Sequence, residues 1–97
     1  MEQQQPNQQQ VQIQADPKIS RGVYANNMVV GHTKEKFVLD FMNAFPPQGS
    51  LVARIFTSPG HMKRILKALQ ENVSNYEKNF DPIDEADAPQ ARVGFRA

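Results

Sequence analysis

The chain has no cysteine and no tryptophan, and only two of its 97 residues are histidine. The missing cysteines exclude disulfides and every thiolate metal site. With His32 and His61 as the sole imidazoles, a zinc site within one chain would need carboxylates to complete it, so no metal and no cofactor is expected. No apolar run approaches the roughly 20 residues that span a bilayer, and no membrane association is expected. The opening "MEQQQPNQQQ" has neither a basic n-region nor an apolar h-region, so no secretory leader is expected and the cytoplasm is the expected compartment. Charge of one sign is also lacking. The formal net charge is +1, too little to hold nucleic acid by bulk charge alone.

The chain that remains is small, and a core built from part of it is marginal without partners. Residues 1–10 form a glutamine-rich tract with one proline, which cannot bury enough apolar surface to offset its ordering entropy. They are expected to be a disordered tail, as residues 84–97 are expected to be a flexible one. Between them, 11–83 is expected to form a single ββββα domain. "VQIQA" (Val11 to Ala15) alternates apolar and polar residues. "GVYANNMVVGHT" (Gly22 to Thr33), "KFVLDFMNAF" (Lys36 to Phe45) and "SLVARIFT" (Ser50 to Thr57) are rich in β-branched and aromatic residues, and short gaps between such runs mean antiparallel hairpins. From about Pro59 to Asn79, Met62, Ile65, Leu66, Leu69, Val73 and Tyr76 recur on one helical stripe. The fold class is therefore α+β: an antiparallel sheet of three to four strands followed by one long C-terminal helix packed on one face.

A turn centred near Thr33 sets Val29 opposite Phe37 and Asn27 opposite Leu39. One face then carries Val23, Ala25, Val29, Phe37, Leu39, Phe41, Leu51, Ala53 and Ile55 and seats the helix. The other carries Tyr24, Met28, Val30, Val38, Met42, Val52 and Phe56. A sheet with one solvated face should alternate apolar and polar residues. This one is apolar on both sides with one helix to cover them, so a second copy of the chain is expected on the latter face. Asp40 and Arg54 interrupt that face and are expected to form a cross-strand ion pair.

No nucleophile, base and orienter set stands out, no paired carboxylates suggest acid–base work, and "SPGH" lacks the pattern of a phosphate loop. The chain is not expected to be an enzyme. One local anomaly remains. Ser58 and Pro59 suit the cap and first position of a helix, where acidic side chains normally follow because of the macrodipole. Here Gly60, His61, Lys63 and Arg64 follow, with Lys67 one turn on. Ser58, His61, Lys63, Arg64 and Lys67 are therefore the candidate contact for an anion, such as a nucleic-acid phosphate, or for an acidic partner.

"GVYANNMVVGHTKEKFVLDF" and "ARIFTSPGHMKRILKALQENVSNYE" resemble a family of short bacterial proteins known only as domain of unknown function 3467. Its features fall on Gly22, Val23, Tyr24 and Asn26, on Phe37, Asp40 and Phe41, on Arg54, Ile55, Ser58 and Pro59, and on Asn72, Tyr76 and Glu77. Gly60 and Lys36 replace acidic residues usual in the family and make the local field more positive. The resemblance implies no activity. It does imply a gene neighbourhood shared with large RNA polymerase subunits. The strand and helix order is also similar to the protomer of the SecB export chaperone. The expectation is a non-enzymatic homo-oligomeric binding module of the transcription or nucleic-acid machinery, with RNA polymerase or nucleic acid as partner. The alternatives are a SecB-like peptide-binding chaperone and a structural subunit of a larger assembly.

Overall fold

In a computed structural model, residues 9–88 and Gly94 are described. The expectations for the two tails lie largely outside these residues. Elements follow in the order α1 (Pro17–Ser20), β1 (Asn27–His32), β2 (Phe37–Phe45), β3 (Gln48–Thr57) and α2 (Pro59–Asn79). The strands form one antiparallel sheet in the order β1-β2-β3, so the arrangement is α+β with the long helix last.

"VQIQA" is not a strand. Residues 11–15 are irregular and exposed, because alternation makes a strand only where an edge accepts its backbone groups. The chain turns instead. Asp16 caps α1, its carboxylate accepting from the Lys18 N–H at 2.8 Å, with Pro17 at the first helical position. The second run is also shorter than its composition suggests, since β1 begins only at Asn27. Asn26 anchors that start. Its N–H donates to the Met42 carbonyl at 3.0 Å. Its side chain accepts from the Ala44 N–H at 2.8 Å and donates to the Ala44 carbonyl at 3.3 Å, so the side-chain amide continues the ladder where the backbone leaves it.

The β1–β2 turn is centred on Lys34–Glu35 rather than on Thr33. The Thr33 hydroxyl accepts from the N–H groups of Glu35 and Lys36, and the Thr33 N–H donates to the Lys36 carbonyl, a threonine-bonded turn that moves the hairpin centre. Val29 therefore pairs with Asp40 and Asn27 with Met42. The shift is odd in register, so it exchanges the faces of β1 relative to β2. Met28, Val30 and His32 share a face with Phe41, Leu39 and Phe37, and Val29 and Gly31 share the other with Asp40 and Val38.

β2 and β3 are joined by a tight turn through Pro46-Pro47, a cis peptide bond. Phe41 pairs with Ala53 and Met42 with Leu51, so Val52 is the extra residue of a β-bulge. Beyond it Gly49 pairs with Ala44. A Cβ at Gly49 would stand 2.5 Å from the Asn43 carbonyl oxygen, so this close approach of two backbones requires glycine.

α2 leaves β3 through a single residue, Ser58. So short a connection gives the chain no loop with which to fold 21 helical residues back over the sheet. The helix was expected to pack on one sheet face, yet it buries none of its residues. Leu66, Leu69, Val73 and Tyr76 each keep about half of their surface exposed. Among the described residues the buried apolar side chains are Leu39 and Met42 alone. The radius of gyration is 17.9 Å, against about 13 Å for a compact domain of this length. Among the described residues no helix is long and apolar enough to cross a membrane.

Candidate functional site

At the start of α2, Ser58 has extended backbone and its hydroxyl accepts from the His61 N–H at 3.1 Å. The Ser58 carbonyl accepts from the Met62 N–H at 2.9 Å, and Pro59 has no N–H to offer. The Gly60 N–H is left, as is that of Ser58 at the cap position itself. His61 is engaged as well, its Nδ1 sharing a hydrogen bond of 2.8 Å with the Thr57 hydroxyl. Ser58 and His61 thus belong to the joint between strand and helix. The amide cradle that would hold a bare anion is reduced, since Pro59 brings no donor and the cap takes that of His61. What stays available in full is side-chain charge. Lys63, Arg64 and Lys67 are exposed, and no acidic residue lies in the first turn.

The second feature is the ion pair in the sheet. Asp40 on β2 and Arg54 on β3 are direct register partners. The guanidinium grips the carboxylate at two points, Nε to Oδ1 at 2.7 Å and an Nη to Oδ2 at 2.9 Å, the forked geometry that makes arginine–carboxylate pairs strong. Asp40 is 6% exposed, whereas the Arg54 side chain keeps 48% of its surface. The hydrogen bond from Arg54 holds the Asp40 carboxyl below the ordinary carboxylate range against an opposing push from desolvation, with the attraction of the cation adding to it. The same bond raises Arg54. Both oxygens of Asp40 are committed to Arg54, which suits a structural clamp and leaves no lone carboxylate poised for proton transfer.

The seven residues assigned to an oligomer face are not brought together. Val38, Met42 and Phe56 lie on the face of Asp40 and Arg54, whereas Met28 and Val30 lie on the opposite face with Leu39 and Ile55. Tyr24 precedes β1, and Val52 is the bulge residue. The exchange of faces in β1 divides the set. Met42 is buried within its own chain. Both sheet faces nevertheless expose apolar side chains, including Met28, Val30 and Ile55 on one and Val29 and Phe56 on the other.

Three contacts lay beyond the sequence reading. Lys36 carries its ammonium over the Phe56 ring, 4.6 Å from the centroid, a cation–π contact on the ion-pair face. The Asn26 clamp on Ala44 had a trace in the Gly-Val-Tyr-x-Asn pattern, which names the residue but not its bonds. Gly49 had none, since its need for space depends on the bulge. Among the described residues no group of three or more His, Asp or Glu side chains could hold a metal ion.

The chain belongs to the family described as Protein of unknown function (DUF3467), whose model matches residues 1–85. Comparison with curated proteins gave no match, and comparison with solved structures gave none.

Proposed function

We propose that this protein is a non-enzymatic binding module that works as a homo-oligomer and presents the basic start of α2 to a macromolecular partner. One observation carries the reading. Leu39 and Met42 are the buried apolar side chains among the described residues, while both sheet faces and the helix stripe remain open. Isolated apolar side chains on a surface are ordinary, but contiguous faces of this extent mark interaction surfaces. Association of copies completes the core that one chain lacks. The binding role is supported by Arg64 and Lys67, which are exposed on α2, and the resemblance to a family with RNA polymerase neighbours points to the transcription or nucleic-acid machinery. The non-enzymatic character is supported by the engagement of the reactive groups: Ser58 caps, His61 bonds Thr57, and Asp40 is held by Arg54. The cytoplasm is the compartment that accords with this role.

Sedimentation equilibrium across micromolar concentrations tests it. A multiple of the 11.0 kDa chain mass is expected, and an 11.0 kDa species throughout overturns the reading. The same open faces favour a second reading, a SecB-like holder of unfolded peptides. A peptide holder keeps apolar surface open after assembly, so the assembled oligomer would bind an apolar dye strongly, whereas a completed core would not.

A further inference from the structure

Within α2, the apolar positions Met62, Leu66, Leu69, Val73 and Tyr76 are separated by alternating steps of four and three residues. This is the a/d alternation of a heptad, with Leu66 and Val73 at a and Met62, Leu69 and Tyr76 at d. A helix lying on a sheet or core needs a wider stripe with e or g also apolar. Here the e positions are Lys63, Gln70 and Glu77, and the g positions are Ile65, Asn72 and Asn79, so Ile65 widens the stripe at its start and the rest of the flank is polar. A seam this narrow suits another helix rather than a sheet. The helix is unbroken over its 21 residues, about 31 Å, and from Leu66 to Tyr76 its seam residues remain about half exposed.

The charges select the partner and its direction. Lys63 and Glu77 lie at equal distances either side of Gln70, so the e row reads plus, neutral, minus. In an antiparallel pair the e rows face each other. The register that sets Leu69 against Val73 of the partner subunit and Leu66 against Tyr76 of the partner subunit also sets Lys63 against Glu77 of the partner subunit, twice by symmetry. A parallel pair aligns e with g and offers Ile65 with Gln70 and Asn72 with Glu77, where no opposite charges meet. We propose that α2 pairs antiparallel with α2 of a second copy of this chain through the Met62–Tyr76 seam, locked by Lys63 against Glu77 of the partner subunit. Glu77 is suited to this. One carboxylate oxygen, Oε2, accepts from the Ile83 N–H at 2.8 Å, which steadies the side chain and leaves Oε1 for the lysine. Arg64 occupies an f position and Lys67 a b position, so both stay on the outer surface of the pair.

The inference rests on the homo-oligomer reading, and its test separates the two. Sedimentation of the full chain is compared for wild type, Lys63→Glu, Glu77→Lys and the double exchange. Within one chain the two residues are 14 positions apart, about 21 Å along the axis, so rescue by the double exchange must arise between copies. Each single variant is expected to weaken association roughly tenfold, and the double to return near wild type. Since the chain has no cysteine, K63C and E77C chains mixed with a short bismaleimide should give a covalent dimer, and K63C alone should not. Association unmoved by the single exchanges, no rescue, or no mixed product overturns the helix pairing. With a wild-type oligomer persisting, such a result leaves assembly through the sheet intact. A monomeric wild type overturns both.

Discussion

Asp40 and Arg54 face each other directly across β2 and β3, joined by two hydrogen bonds of 2.7 and 2.9 Å. Their burial is unequal. The carboxylate lies deep in the central strand, and the guanidinium reaches it from the surface. Removing Arg54 strands a desolvated charge, whereas removing both leaves neutral groups, and a buried charge without its partner is the costlier state. Arg54→Met should therefore lower the melting temperature more than the pair Asp40→Leu with Arg54→Met, at equal chain concentration. Thermal unfolding of the four members of the cycle measures this, and additive losses would refute a coupling across the strands.

The same pair sets an acid limb. Asp40 has a folded pKa below its unfolded value because Arg54 bonds the ionised form. Its contribution is present above the unfolded value of about 3.9 and is lost as pH falls through the depressed folded value. Urea midpoints taken from pH 6 to pH 2 should fall more steeply for wild type than for Asp40→Asn, with the difference confined to the region below about pH 4. Parallel curves would mean that Arg54 does not favour the charged form.

The long helix was legible because its signals are local: a serine cap, a proline at the first position and an apolar stripe, all within 22 residues of chain, Ser58 to Asn79. β2 was nearly as plain, its run beginning at Phe37 where composition set Lys36. The face assignment failed through one side chain. Thr33 bonds two following N–H groups, and that choice moves the turn by an amount that inverts β1. Hydrophobic pattern could not arbitrate, since both faces of these strands are apolar. "VQIQA" failed for the complementary reason, because pattern within a run says nothing about whether an edge exists to pair with it. The candidate anion contact was half legible. Positive side chains are visible in sequence, but the consumption of the His61 amide donor by Ser58 follows from cap geometry.

Asn26 supplies a local test of the β1 clamp. Replacing it with alanine removes two side-chain bonds to Ala44 and leaves the Ala44 N–H without its partner. The expected loss is about 1–2 kcal/mol. Amide exchange at Ala44 should quicken by more than the global change explains. Protection of that amide unchanged from wild type would show that the clamp is incidental.

Gly49 tests the close approach of β2 and β3. Alanine there would place its Cβ 2.5 Å from the Asn43 carbonyl oxygen, a backbone atom that cannot rotate away. Strand or bulge must shift, at a cost of about 1–3 kcal/mol. Gly60→Ala is the control, since a Cβ there meets nothing within 4 Å and helix propensity favours it. Chemical denaturation should show a loss for the first and none for the second. Equal stability of the two variants would contradict the sheet geometry.

The last prediction concerns the reversed charge at the start of α2. Arg64 and Lys67 are exposed, and neither takes part in the ion pair found among the described residues. Cations in the first turns oppose the macrodipole, so their removal should not harm folding. Arg64→Gln with Lys67→Gln should leave stability within about 0.5 kcal/mol of wild type, or raise it slightly. Lys63 is left in place so that self-association is undisturbed. If these two side chains meet phosphates, binding to a nucleic acid should weaken, and the log–log salt slope should flatten by roughly 0.9 per lost contact on a duplex or about 0.7 on a single strand. The mechanism requires a change in slope as well as in affinity, because each phosphate contact releases condensed counterions. A protein partner with acidic side chains gives a different signature: affinity falls with salt, but duplex and single-stranded oligonucleotides do not compete. Binding measured by fluorescence anisotropy from low to physiological salt, with and without competitor oligonucleotide, distinguishes these cases. Affinity and slope both unchanged in the double variant would mean that the positive start of the helix is only a solvated surface.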